Sequence, residues 1–419
     1  MSILEMAPDG NAITGFRLRL AEGLWRAAIV ALALMPVGMA VAHRSSPAFL
    51  AASALFSLGA AAAERRLRQV SREGFSALAT PLGAAVLAFL AWCLVSVGWS
   101  EFKDVSLLAF GEFWLPIAAA FILSQTLASR MTRAGFRLLA IAFGLACVMM
   151  VFELRTGLSL RHALGRRSHT FIFNRPVLTL LVLTPPLVAW CLGHVRYGWL
   201  CAASLVALLC GTALASDSGA AVLGLVVACL VFPAAWFAPR LARGAAVIAF
   251  VVALIGAPLI GPAGRDLIPA SFHKTMAQGH SRERVDLWLS FGAAVREQPL
   301  VGAGFGVSPR IALTSVAQKV PKAQRTMLAI GHPHNAGLQI WVELGAVGVA
   351  LALAVVLVLL RGVARQTRIM AGASLALIAG AATVALVGHG AWQGWWAASL
   401  GGAILWMLAL TRTRPETRP

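Results

Sequence analysis

His332, His334, Asn335, Gln339 and Glu343 stand within one short stretch, His-Pro-His-Asn-Ala-Gly-Leu-Gln-Ile-Trp-Val-Glu, where a polar loop runs into a long apolar segment. A segment built only to cross lipid has no use for such groups, and ionisable residues at that depth point to function. An imidazole at a membrane boundary can act as a general base near neutral pH. Asn335 suits a helix N-cap. Asn335, Gln339 and Glu343 follow at i, i+4 and i+8 and share one helix face. A helix N-terminus there also favours an anion. The bland alternative is that both histidines are interfacial loop residues and that Glu343 pairs with a buried arginine.

Other residues supply cations. Arg284 precedes Trp288 by one turn in the segment 281–297, SRERVDLWLSFGAAVRE. Val285, Trp288, Leu289, Gly292 and Val295 fall at helical spacing with charges opposite, the pattern of an amphipathic helix lying on the outer face. Arg284 there is placed to hold a phosphate, or merely snorkels to headgroups. Asn174 and Arg175 open an apolar run, where a cation wants a partner; a structural ion pair with Glu343, Glu153 or Asp217 is the alternative. Arg310 closes Ser308-Pro309-Arg310, after the turn Gly302-Ala303-Gly304-Phe305-Gly306. That glycine pattern follows Pro299 and not a strand, so it lacks the context of a dinucleotide loop. Ser216-Asp217-Ser218 reads as a simple turn. His169, His273 and His280 show no metal-ligand spacing, and no HExxH or Asp-x-Asp pair exists, so no metal or other cofactor is expected. The six cysteines, Cys93, Cys147, Cys191, Cys201, Cys210 and Cys229, all fall in apolar runs and read as packing residues.

The elements that must position these groups are membrane helices. The chain is 59% hydrophobic and 12% charged, with mean hydropathy +0.80. Apolar runs long enough to span a bilayer recur about twelve times. They fall near 25–42, 47–63, 77–98, 105–128, 135–152, 172–192, 197–215, 218–238, 244–261, 336–360, 371–390 and 392–411. The first lacks a small-residue cleavage site and reads as a retained helix. The net charge of +19 does not signal nucleic acid. With a cytoplasmic N-terminus, the arginines at 17–26, 65–72, 130–137, 196, 240–243, 361–368 and 412–418 all lie inside, following the positive-inside rule. Two outer segments, about 153–171 and 262–335, are basic against that rule, and concentrated cations on the trans face suit an anionic ligand such as phosphate. The chain reads as a single polytopic domain over 1–419, an all-α integral membrane protein with one large outer loop over 262–335.

The stretch His-Pro-His-Asn-x-x-Leu-Gln-x-Trp-x-Glu-Leu-Gly-x-x-Gly (332–348) resembles the signature of O-antigen ligases and related polysaccharide polymerases. Phe-Asn-Arg-Pro (173–176), Ser-Asp-Ser (216–218), Arg-Val-Asp-Leu-Trp (284–288), then Glu297, Pro299, Gly302, Gly304 and Phe305, and finally Ser308-Pro309-Arg310, resemble further pieces in the same order. The resemblance covers roughly 150–350, by motif; Gly219 stands where the family has a larger or basic residue. It implies a GT-C-like membrane glycosyltransferase of about twelve helices, with the large periplasmic loop between the ninth and tenth. Such enzymes move a glycan from undecaprenyl diphosphate onto lipid A-core, inverting the sugar and using no metal, in the bacterial inner membrane with both termini cytoplasmic. The family's essential histidine corresponds to His334 and its phosphate-binding arginine to Arg284. Arg175, Arg310, His332, Asn335, Gln339 and Asn174 are expected to bind diphosphate or sugar, with Glu343 and Trp288 in support. The protein-glycosylating members carry an added C-terminal region, which argues against that activity here. The nearest rival is a polymerase of the same fold. A secondary transporter would show repeats and interrupted midplane helices, and a non-catalytic scaffold would leave His334 and the trans-face arginines unexplained.

Overall fold

The computed structural model describes residues 10–165, 169–269, 281–388 and 390–412; His273, His280, Lys274, Arg166, Arg167 and His389 lie outside them. Among the described residues the fold is all helix, with no strand. In chain order come α1 (Gly10–Ala33), α2 (Met35–Val41), α3 (Ser46–Ala63), α4 (Leu67–Leu78), α5 (Pro81–Ser96), α6 (Lys103–Thr126) and α7 (Arg133–Arg155). Then follow α8 (Ser159–Ala163), α9 (Asn174–His194), α10 (Gly198–Ala215), α11 (Gly219–Phe237), α12 (Pro239–Ile255) and α13 (Ile260–Leu267). After these come α14 (Ser281–Glu297), α15 (Ser315–Lys319), α16 (Lys322–Arg325), α17 (Ala336–Val363), α18 (Arg368–Val387) and α19 (Gly394–Arg412).

Ten helices are long and apolar enough to cross a membrane, and twelve spans result if each of two bent pairs counts as one. The bent pairs are Gly15–Ala33 with Met35–Val41, at 49°, and Pro239–Ile255 with Ala257–Leu267, at 61°. The protein is therefore a multi-pass membrane protein. Polar residues mark several starts. Thr80 accepts from the Gly83 amide, Thr132 from Gly135 and Ser218 from Ala221, satisfying donors that a helix end leaves free. The turn 216–218 thus serves as a cap. Helix α9 is buried along nearly its whole length and forms the centre of the bundle. Its neighbours α7, α10 and α11 leave Ile141, Leu145, Leu214 and Leu230 exposed, as lipid-facing helices must.

Contacts sort the connections onto two ends. Glu101 binds Ser315, Arg161 reaches the carbonyls of Ala40 and Val41, Ser46 binds the Trp395 carbonyl and His334 binds that of Gly388. These all belong to one end, the end that carries the insert between α12 and α17. The insert has a core of its own, in which Leu287, Phe291, Val307, Ile311, Val320 and Leu328 meet Leu338 and Val342 of α17.

Two sequence expectations need correction. Helix α14 does run over 281–297, but it is not a surface helix with one apolar face. Residues 290–295 are buried all round, because α13 closes on the side away from α17. Gly261 and Gly292 allow this: a Cβ on Gly261 would lie 2.6 Å from the Leu289 amide, and one on Gly292 would lie 3.0 Å from the Pro258 carbonyl. Nor is the tenth span one continuous helix. It breaks at Gly345, whose φ of 65° and ψ of −166° suit only glycine.

Candidate functional site

The break in α17 explains the glycine turn. With Gly345 out of helical geometry, the amides of Ala346 and Val347 turn to the carbonyls of Pro299 (2.8 Å) and Leu300 (3.3 Å). The carbonyls of Val342 and Glu343 take the amides of Ala303 (2.8 Å) and Gly304 (2.9 Å) instead. A neighbouring segment thereby replaces the helical bonds that the break removes, the condition for irregular backbone at membrane depth. The fit excludes side chains. A Cβ on Gly302 would stand 2.4 Å from the Glu343 carbonyl carbon, and one on Gly345 would stand 2.3 Å from that of Leu300.

Glu343 is the buried hub of this junction. Its carboxylate accepts from the amides of Gly306 (2.5 Å) and Ser308 (3.3 Å), from Gln339 Nε2 (3.0 Å) and from Trp392 Nε1 (2.6 Å). All four donors are neutral, so the alternative of a pair with a buried arginine is not what the fold uses. Stacked on the same face, as the i, i+4 spacing anticipates, Gln339 accepts from the Ala391 amide with its Oε1 at 2.9 Å. Asn335 caps α17, its Oδ1 accepting from the Leu338 amide at 2.9 Å. These side chains brace structure more than they present open polar atoms.

His334 lies one residue before the cap, at φ 51°, a left-handed conformation uncommon outside glycine. Its Nδ1 is 2.7 Å from the carbonyl oxygen of Gly388. A carbonyl only accepts, so this nitrogen carries the proton, and in the neutral ring Nε2 holds the free lone pair. Burial lowers the His334 pKa below the ordinary histidine value; the Gly388 bond opposes that and the nearby Arg284 charge adds to it. The ring is thus held neutral at physiological pH, with Nε2 free to accept a proton. The rings of His332 and His334 meet edge to face with centroids 3.9 Å apart. His332 Nδ1 is buried with no hydrogen-bond partner among the described residues. Its pKa is pushed down to about 4, first by burial and then by His334.

Helix α14 fixes this loop. Trp288 Nε1 donates to the Pro333 carbonyl, between the two histidines, at 3.0 Å. Arg284, half-buried, donates to the Val387 carbonyl, next to the carbonyl that His334 uses. An arginine has five N–H donors in a planar fork, so one such bond leaves donors for an anion. Arg310 is exposed on the next segment, and the backbone of Pro309 packs against Gly331 at the start of the histidine loop.

Asn174 and Arg175 do not join this group. The charge acting on His334 is that of Arg284, whereas Arg175 acts on His43 and stands with its guanidinium 5.7 Å over the Trp395 ring. Asn174 Oδ1 is buried without a hydrogen-bond partner among the described residues.

Sequence reasoning missed the strap between α18 and α19. It reads 371–390 and 392–411 as nearly touching helices, yet Gly388 and residues 390–393 are not helical. This strap and its flanks contact most of the polar cluster: Val387 holds Arg284, Gly388 holds His334, Ala391 holds Gln339 and Trp392 holds Glu343. The available signal was the run Gly388-His-Gly-Ala-Trp-Gln-Gly-Trp-Trp396, too polar and too rich in glycine for a lipid-spanning centre.

Residues 203–353 match the O-antigen ligase family model. The matched stretch holds Arg284, Trp288, the glycine turn, Arg310, both histidines and the braced face of α17. The match supports ligase- or polymerase-type function generally. Arg175 and the strap lie outside it. No curated protein matches the chain significantly.

Proposed function

We propose that this protein is an O-antigen ligase, transferring a glycan from undecaprenyl diphosphate to lipid A-core at the periplasmic face of the bacterial inner membrane. The observation that carries the reading is His334, whose Nδ1–H is pinned to Gly388 while burial and Arg284 keep the ring unprotonated.

In this reading the acceptor hydroxyl gives its proton to His334 Nε2 as its oxygen attacks the anomeric carbon. The bond from that carbon to the diphosphate oxygen breaks, its electron pair leaves with the diphosphate, and direct attack inverts the configuration. Charge accumulates on the leaving diphosphate in the transition state, so Arg284, with Arg310 beside the loop, stabilises that state more than the ground state. The break at Gly345, the Glu343 hub and the strap hold base and arginine in register, and Asn335 and Gln339 keep the start of α17 and the strap in place. Arg175 and Asn174 bind phosphate and sugar hydroxyls from a second cationic group nearby. No metal takes part; activity abolished by EDTA and restored by one divalent ion would contradict that.

The test is a lipopolysaccharide gel from the native host lacking this gene, complemented with wild type or His334→Ala. Ligase activity requires unattached lipid-linked polymer to accumulate and the core to carry no O-antigen in both the deletion and the His334→Ala strain. A core bearing single repeat units without a ladder would identify a polymerase instead.

A further inference from the structure

A second concentration of cations lies on the same end of the bundle, assembled from three elements. Arg161 of α8 donates through Nη2 to the carbonyls of Ala40 (2.9 Å) and Val41 (3.1 Å), and its guanidinium lies 4.8 Å over the Phe173 ring. Those contacts bring Arg161 to the α2–α3 connection, which carries His43 and Arg44, and to the start of α9, which carries Arg175. The Ser46 hydroxyl ties the connection to Trp395, donating to its carbonyl at 2.7 Å, and Arg175 lies over the same tryptophan. Among the described residues one carboxylate approaches the group: Glu153 is 3.8 Å from Arg161 Nε. That carboxylate is already shared with the backbone amides of Leu160 (2.9 Å) and Arg161 (3.4 Å). Three guanidinium groups therefore face one engaged acid. The His43 imidazole, half-buried beside them, is held below the ordinary histidine pKa by burial and then by Arg175, Arg44 and Arg161.

Clustered like charges that outnumber their counter-ions repel one another, and a ligand that brings further negative charge relieves that repulsion. Two features narrow the ligand. Exposed Val41, Leu160 and Phe171 surround the cations, so the anion belongs to an amphiphile at the membrane boundary. The buried Asn174 Oδ1, with no donor among the described residues, stands ready for a hydroxyl, as a sugar would offer and a lipid tail would not.

We propose that His43, Arg44, Arg161 and Arg175 form a second anion site, which takes a phosphate group of the membrane-bound acceptor, a phosphorylated glycolipid, while the donor diphosphate occupies the site at Arg284. The inference rests on the ligase reading for its two-substrate logic. The strap and α19, which carry Gly388 and Trp395 seven residues apart, then separate the two lipids and present the acceptor to His334.

The test uses the full chain, purified and assayed with lipid-linked glycan donor and either phosphorylated or enzymatically dephosphorylated lipid A-core. Arg161→Gln is expected to raise the KM for the phosphorylated acceptor roughly tenfold or more, the loss of a charge-assisted contact. Arg44→Ala, at an exposed position, has the same effect to a smaller degree. The donor KM stays unchanged, and with dephosphorylated acceptor wild type and variants behave alike. Arg161→Lys keeps the charge and recovers most of the affinity, which separates binding from the brace that Arg161 gives to Ala40 and Val41. A raised donor KM with unchanged acceptor KM would assign the cluster to the donor and overturn the proposal, and so would no change in either. Native mass spectrometry of the catalytically silent His334→Ala protein gives a readout independent of turnover. A preference for phosphorylated over dephosphorylated lipid A-core, lost in the Arg161→Gln double variant, supports the site; equal retention of both lipids overturns it. Failure of the ligase reading shows elsewhere, as a normal ladder with His334→Ala.

Discussion

At one end of the bundle, Glu64 accepts from Trp25 Nε1 at 2.9 Å and from Arg130 at 2.6 Å, while Arg130 lies 4.4 Å over the Trp25 ring. At the other end, Arg284 and His334 are half-buried and hydrogen-bond to the carbonyls of Val387 and Gly388. Cation, acid and aromatic close on themselves in the first cluster, so this cation carries its own counter-ion. A carbonyl orients a cation but does not neutralise it, so the second end keeps uncompensated positive charge where water is partly excluded. The difference teaches that a basic membrane protein is read by where its cations lack acids, since its total charge reflects mostly topology.

The sharpest way to break this contrast is His334→Ala. Loss of a positioned base is expected to lower turnover by about 100- to 10,000-fold, with an unchanged melting temperature and chromatographic profile; near-normal turnover would end the assignment. Next comes Glu343→Gln, which places an NH2 group against amide or indole donors at one of the two carboxyl positions. Losing charge-assisted bonds at a fully buried site should cost about 1.5–3 kcal/mol, read as a lower thermal midpoint, and a stability equal to wild type would show that the hub does not hold the glycine turn.

Arg284→Gln tests the electrostatic part. The Arg284 charge disfavours protonating His334, so its removal raises the His334 pKa. The acid limb of the kcat/KM profile, which lies below the ordinary histidine range in wild type, then moves to higher pH. An unmoved limb would separate Arg284 from the base. His332 offers a stability counterpart. Its folded pKa of about 4 lies under the ordinary 6.5, so between these values the unfolded chain binds a proton that the folded chain refuses. Stability from this residue is complete above pH 6.5 and declines as pH falls toward 4, and His332→Gln should flatten that part of the melting profile. The smallest effect belongs to the other end. Glu64→Gln, in a partly exposed pair, should cost about 1 kcal/mol or less and leave turnover intact; a large loss of activity would mean that the two ends are coupled.

Much of this molecule is legible from residue order. Apolar length sets the spans, because a bilayer demands about twenty apolar residues per helix. The i, i+4, i+8 spacing places Asn335, Gln339 and Glu343 on one face, since 3.6 residues make a turn. The capacity of Asn335 to cap α17 is local and needs no tertiary information. The chemistry of His334 and Arg284 is likewise a matter of residue type. What only the tertiary structure decided are the partners. Glu343 takes four neutral donors from the glycine turn, from its own helix and from the strap, where its residue type equally allows a buried arginine. Burial on both sides makes α14 an internal brace, a fact its one-dimensional pattern does not carry. The break at Gly345 depends on a segment more than forty residues earlier offering the right carbonyls and amides. The strap between α18 and α19 hides between two apolar runs because, apart from the Trp392 indole, its role is expressed through backbone oxygens and amides, which every residue possesses and which no sequence pattern distinguishes.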